Sequence, residues 1–287
     1  MEHKFGTKEI VFGPMCCGKS IELIRRIKMF EHYAHAANAR KPDAYQAVIF
    51  KPVMDLRKFS EAPDEDPLRM IYSRLGAKIS GNIVPIKHST DILQYFNSAD
   101  FSKHKFLIAI DEVQLLDSGI ISVSDQLVKK GAFVLLVGLD YNFRGEYFQF
   151  SDFNADMGDL IDSVPTEYRV HLMDAKCNVC GADAIYSQRM KNNRPVQYCD
   201  ALVKIGYDYE PRCTKHFEIP GKDEFYFVRF LVKKYSGNSL NDLKLKANLP
   251  EFDDIIERMA VEKVIRIEHD KVFFLKSKGV LTLEEFV

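Results

Sequence analysis

The sequence predicts an α/β fold: a parallel sheet with helices on both faces, then a small metal-held domain, then a C-terminal α+β appendage. Three observations predict it. The stretch Gly13-Pro14-Met15-Cys16-Cys17-Gly18-Lys19-Ser20 matches G-x-x-x-x-G-K-[ST] and lies between a β-prone run and an amphipathic one. Continuous apolar runs at Phe106-Leu107-Ile108-Ala109-Ile110 and Phe133-Val134-Leu135-Leu136-Val137 have the composition of parallel strands covered on both faces. Cys177-x-x-Cys180 and Cys213-x-x-His216 add two ligand pairs with the spacing of a tetrahedral metal site.

The first element is the strand Glu9-Ile10-Val11-Phe12. Behind the glycine-rich loop, Ile21, Leu23, Ile24, Ile27 and Phe30 recur at helical spacing among charged residues. Strand, loop and helix thus follow in the order that lets backbone N–H groups and the positive helix end cradle a polyphosphate. In that arrangement Lys19 reaches the terminal phosphates and the Ser20 hydroxyl ligates magnesium, so the sheet is of the P-loop NTPase type and binds a nucleoside triphosphate. Cys16 and Cys17 sit beside a lysine and a helix N-terminus, a setting that lowers thiol pKa values and favours oxidation. Inert filling of the loop is the favoured reading of the pair.

Residues 31–46 prolong the helix and then break at Pro42. Ala47-Val48-Ile49-Phe50 is the second strand, ending at Lys51-Pro52 ahead of Asp55 and Arg57; residues 59–67, rich in Glu, Asp and Pro, read as a solvated loop. Ile83-Val84-Pro85-Ile86 is a weaker strand, and residues 91–96 a short helix. The strand at 106–110 ends in Asp111-Glu112, and an acidic residue at that end of a parallel strand lies beside the phosphate loop, where Asp111 helps hold magnesium. Glu112 is the candidate general base: a carboxylate one residue further on can take the proton of an attacking hydroxyl, or, in a plain ATPase, of water. A helix over 116–130 and the strand at 133–137, closing with Gly138-Leu139-Asp140, complete the strand–helix alternation of a parallel sheet with right-handed crossovers.

From about Lys176 the pattern changes. Each cysteine or histidine pair can bite one edge of a tetrahedron, and four ligands with no open position imply a structural zinc held by Cys177, Cys180, Cys213 and His216. Cys199, inside the loop, reads as a free thiol. Beyond Gly221 the apolar residues fit three helices: Phe225 to Tyr235, a short one capped by Asn238 or Ser239, and Phe252 to Met259. Val264 to Ile267 and Val272 to Leu275 then fit a hairpin around Glu268-His269-Asp270-Lys271. Three helices and a hairpin is the order of a winged helix. The boundaries predicted are 1–172, 173–220 and 221–287.

Bulk numbers constrain the partners. The 287 residues are 46% apolar and 28% charged, with a net charge of −1, so no global field attracts nucleic acid or membrane. The segment from Lys222 carries twelve Lys/Arg and twelve Asp/Glu, which gives it no basic footprint for DNA; a packing or oligomerisation role is the plainer reading. No apolar run approaches the roughly 18 residues of a membrane span, and no signal-type core follows Met1. A cytoplasmic protein with reduced thiols is expected.

Taken together, the phosphate loop, Asp111-Glu112-Val113-Gln114, Gly138-Leu139-Asp140 with Phe143, Cys177-x-x-Cys180 with Tyr186-Ser187-Gln188-Arg189, and Tyr209 four residues before Cys213 resemble the zinc-containing (type II) thymidine kinases, in order and over residues 8–218. The resemblance implies a P-loop domain, a zinc-held lasso that closes over the nucleoside, and transfer of the ATP γ-phosphate to the 5′-hydroxyl of thymidine, with deoxyuridine as a possible second acceptor, in nucleotide salvage for DNA synthesis. By resemblance, residues 13–20, Asp55, Arg57, Asp111 and Gln114 serve ATP and its phosphates. Met15, Leu139, Phe143, Phe148 and Ser187 serve the nucleoside, and so do the lasso positions Leu202, Val203, Lys204, Ile205, Gly206 and Tyr209. It also implies a homotetramer or dimer and feedback inhibition by dTTP. Leu115 and Leu116 stand where the family commonly has aromatic residues, which loosens the expected base pocket. A different class, a nucleotide-binding regulator whose appendage contacts a partner or DNA, shares the same phosphate loop.

Overall fold

The structure, a computed structural model, describes residues 6–39, 41–42, 44–55, 66–73, 76–204 and 208–275. Strands form where β-prone apolar residues cluster: β1 (Thr7–Phe12), β2 (Tyr45–Pro52), β3 (Met70–Tyr72), β4 (Lys78–Ser80), β5 (Ile83–Ile86), β6 (Lys105–Ile110), β7 (Phe133–Gly138) and β8 (Arg169–His171). β3 and β4 make a separate antiparallel hairpin. The other six form one sheet in the order β5-β2-β6-β7-β1-β8, with every pairing parallel. The expected α/β class with a parallel sheet is what the chain forms.

Helices α1 (Lys19–Asn38), α2 (Thr90–Tyr95), α3 (Ile120–Lys129) and α4 (Met157–Asp162) supply the cover. Strand side chains alternate between faces, and two ion pairs identify which helix covers which. Glu9 meets Arg26 of α1 at 2.5 Å, while the next residue out of phase, Lys8, meets Asp125 of α3 at 2.6 Å. On the α1 face, Leu23, Ile24, Ile27 and Phe30 pack against Val11, Ile49, Leu107, Leu135 and Val137, all buried. Helices therefore lie on both faces, and the C-terminal ends of β1, β2, β6 and β7 lie at the same end of the sheet. The register places them abreast: Phe12 pairs with Gly138, Leu136 with Ile110, and Ile110 with Phe50.

Two departures from the sequence reading have local causes. The helix expected over 116–130 starts only at Ile120, because Glu112 takes φ 48 and residues 113–115 form a 3-10 turn. Asp117 then holds the chain in a turn by accepting from Ser89 N at 2.9 Å and Gly119 N at 3.1 Å. The edge strand β8 and the β3–β4 hairpin, each only three residues per strand, were not anticipated.

The remaining elements are β9 (Tyr186–Lys191), β10 (Arg194–Pro195), β11 (Asp208–Arg212), α5 (Lys222–Lys234), α6 (Leu240–Ala247), α7 (Phe252–Val261), β12 (Ile265–Glu268) and β13 (Lys271–Phe274). The chain divides into two compact units, Met1–Gln188 with Ile205–Phe217, and Arg189–Lys204 with Glu218–Val287. In the second, α5, α6 and α7 bury Phe225, Val228, Val232, Leu243, Phe252, Ile255 and Met259 around Tyr198. Ser239 caps α6 by accepting from Asp242 N at 3.1 Å. β12 and β13 pair antiparallel through a two-residue turn, His269-Asp270, both left-handed, as a tight hairpin requires. Among the described residues no helix is long and apolar enough to cross a membrane.

Candidate active site

The phosphate loop is built around glycines in backbone conformations that other residues rarely adopt. Gly13 has φ +146, and a Cβ there would lie 2.3 Å from Leu172 O. Gly18, at φ +95, turns the chain into α1. Gly13→Ala is expected to lower unfolding stability by about 1–3 kcal/mol, the range for a strained backbone position, read by urea denaturation; an unchanged midpoint would contradict it.

Inside the loop Lys19 is buried, and its ammonium donates to Gly13 O at 2.9 Å and Pro14 O at 2.6 Å, with Cys17 Sγ at 3.6 Å. Met15 N donates to Ser187 Oγ at 2.8 Å, so the loop is tethered to β9 across 172 residues of sequence. Cys16 is exposed and left-handed at φ 65, whereas Cys17 is buried. Burial pushes the Cys17 thiol up, against the downward pull of Lys19, so the activated thiol that its sequence neighbours suggested does not form at this position.

A second group gathers at the ends of β2 and β6. Asp55, Asp111 and Glu112 are all buried, and their carboxylate oxygens lie within 4.8 Å of one another. Buried acids at this separation suit a divalent cation, which is the fit expected for magnesium accompanying ATP. Glu112 is held from one side: Gln114 Nε2 donates to Glu112 Oε2 at 2.6 Å, and Gln114 Oε1 accepts from Leu139 N at 3.1 Å. Gln114, assigned by resemblance to the phosphate site, thus also links the candidate base to the end of β7.

Beyond β7, Leu139, Phe143 and Phe148 are buried, and the segment folds back on itself through Phe148 N to Asp140 O (2.8 Å) and Asn142 N to Glu146 O (2.8 Å). Asp140 is buried against His171 Nε2 at 3.3 Å, and His171 stacks on Phe12 at 4.6 Å. Burial pushes the Asp140 carboxyl up, partly offset by the Tyr141 N–H, Lys19 and His171. Neither Lys51 nor the Asp140–His171 pair is marked by a motif in the sequence. The i, i+4 spacing of Lys51 and Asp55 was the one available signal. Leu202, Val203 and Lys204 belong to the second compact unit, where Lys204 pairs with Asp200 at 2.8 Å. Tyr209 lies half-buried on β11. Arg57, Ile205 and Gly206 lie outside the described residues.

The four expected metal ligands do converge. Cys180 Sγ and Cys213 Sγ are 3.8 Å apart, and His216 Nδ1 lies 3.4 Å from Cys213 Sγ and 3.8 Å from Cys177 Sγ. Two sulfurs each about 2.3 Å from a tetrahedral zinc are separated by about 3.8 Å, so this cluster has the right dimensions for that ion. It is too wide for a disulfide, and all three cysteines are free. The turn is closed by Cys177 N to Ala182 O and Gly181 N to Cys177 O, both 2.8 Å.

A phosphate loop leading from β1 into α1, with buried carboxylates at the ends of neighbouring parallel strands, defines a P-loop α/β protein that handles nucleotides. Residues 6–217 match the thymidine kinase family. The chain is 33% identical over 238 residues to a thymidine kinase of Ureaplasma parvum, covering 80% of this chain and 93% of that one. It is 31% identical over 238 residues to one of Ureaplasma urealyticum and 33% identical over 220 residues to one of Mycoplasmoides gallisepticum, the latter covering 76% of this chain and 83% of that one. The chain belongs to the thymidine kinase family.

Proposed function

We propose that the protein transfers the γ-phosphoryl group of ATP to the 5′-hydroxyl of thymidine, with deoxyuridine as a second acceptor, giving the nucleoside monophosphate and ADP. The observation that carries the reading is the placement of Glu112: buried, beside Asp55 and Asp111, and fixed through Gln114 to the backbone that leads into the apolar Leu139–Phe143–Phe148 segment. A base so placed can serve an acceptor hydroxyl rather than bulk water.

In-line phosphoryl transfer needs positioning and charge stabilisation more than covalent chemistry. Magnesium bound with ATP would neutralise charge on the β and γ oxygens, and Ser20 and Asp111, with Asp55 beside them, are the residues to hold it. Lys19, now satisfied by two loop carbonyls, exchanges them for phosphate oxygens. Glu112 accepts the 5′-hydroxyl proton as the new O–P bond forms and the bond between the γ-phosphorus and the β–γ bridging oxygen breaks, that oxygen leaving with ADP. Apolar Leu139, Phe143 and Phe148 with Met15 pack the base and exclude water. Ser187, by accepting from Met15 N, holds that side of the loop.

The Cys177–Cys180–Cys213–His216 cluster is read as a structural zinc site, and residues 202–206 with Tyr209 are read as the lasso of the family. Residues 221–287 are read as a winged-helix-like appendage, used for packing. A cytoplasmic homotetramer inhibited by dTTP completes the reading. Acceptor choice tests it: among thymidine, deoxyuridine, deoxycytidine and the purine deoxynucleosides, thymidine is expected to give the highest kcat/KM. Preference for deoxycytidine or a purine would overturn it.

A further inference from the structure

Lys51 is a buried cation with no part in the chemistry above. Its side chain and that of Asp55 are each 1% exposed, and Lys51 Nζ lies 3.1 Å from Asp55 Oδ2. The same ammonium donates to Pro67 O at 2.7 Å and Met70 O at 3.0 Å. An ammonium has three N–H bonds, so these three acceptors saturate it and leave it one orientation. A lysine this deeply buried is rare unless paired, and the partner here belongs to the carboxylate group Asp55–Asp111–Glu112. Asp55 is fixed from the backbone as well, by Asp55 N to Pro52 O at 2.9 Å.

We propose that Lys51 is a positioning residue for the nucleotide's metal: it orients Asp55 toward Asp111 and Glu112 before the cation arrives. By holding Pro67 O and Met70 O it also fixes the chain that returns to β3. The inference rests on the kinase reading for the identity of the cation. Residues that orient metal ligands typically change metal affinity about 10–100-fold when replaced.

The test is a Mn²⁺ titration of the full chain with a non-hydrolysable ATP analogue, followed by water-proton relaxation, with no nucleoside present. Lys51→Met is expected to weaken Mn²⁺ binding at least about tenfold. In the Asp55→Asn background, the same substitution is expected to add less than about twofold, because Lys51 acts through Asp55. A folded Lys51→Met protein that binds Mn²⁺ like the wild type would overturn the proposal. So would effects that multiply in the double variant, which would make Lys51 merely a clamp on residues 67–70. Should Lys51→Met not fold, Lys51→Arg takes its place in the cycle: it keeps the charge, but its planar fork cannot reproduce the three ammonium bonds, and the same two outcomes decide. Failure of the kinase reading would show separately, as wild-type protein that binds Mn²⁺ and the analogue but phosphorylates no nucleoside.

Discussion

Glu112→Gln is expected to lower kcat for thymidine by about 10²–10⁴-fold, the range for losing a general base, while ATP affinity stays within about threefold of the wild type. The substitution is nearly isosteric. Its remaining carbonyl oxygen can still accept from Gln114 Nε2, the contact that holds Glu112 Oε2 at 2.6 Å, so position survives and basicity does not. Glu112 also adopts φ 48, a left-handed conformation that glutamine tolerates no worse. Lys19 and the loop glycines, which would bind the phosphates, are untouched. A steady-state comparison with an equilibrium binding measurement separates the two effects, and a variant whose kcat falls less than about tenfold would remove Glu112 from the role of base.

Loss of metal from the cysteine–histidine cluster should have the other large effect. Cys213→Ser, or prolonged chelation, is expected to lower the melting temperature by on the order of 10 °C and to abolish kinase activity, with one zinc per chain in the untreated protein. The cluster joins the Cys177–Cys180 turn to a segment 33 residues later, and that is its mechanical consequence. Ile185 N donates to Arg212 O at 3.1 Å, and two residues on, Ser187 Oγ receives Met15 N of the phosphate loop. Releasing the ligands therefore loosens a chain of contacts that ends on the donor site. Metal analysis by mass spectrometry, with calorimetric unfolding, checks both halves. Protein purified from zinc-replete medium that contains no zinc and melts unchanged after chelation would sink the assignment.

Local signals were legible and distant ones were not. The phosphate loop, the Asp111-Glu112 pair and the two ligand pairs are short motifs whose chemistry depends on spacing within a few residues, and the structure brings the members of each together. The helices of residues 222–261 and the 265–274 hairpin were readable from periodicity alone, since each buries one apolar stripe or turns through a recognisable pair. Asp55 meeting Asp111, or Met15 meeting Ser187, depends on strand order, which no local pattern encodes. Cys17 shows the limit most plainly. Its sequence neighbours alone would suggest an activated thiol, but burial outweighs the lysine and pushes the thiol up, in keeping with inert filling of the loop.

The central claim is that the phosphoryl group passes to a nucleoside hydroxyl and not to water. Incubating the wild-type protein with γ-labelled ATP, magnesium and thymidine, and resolving the labelled products with time, measures it directly. The label is expected to appear in thymidine 5′-monophosphate in step with ADP, with little release of inorganic phosphate. Label released as inorganic phosphate at the same rate with or without thymidine would contradict it, and would make the chain a hydrolase on a thymidine kinase scaffold.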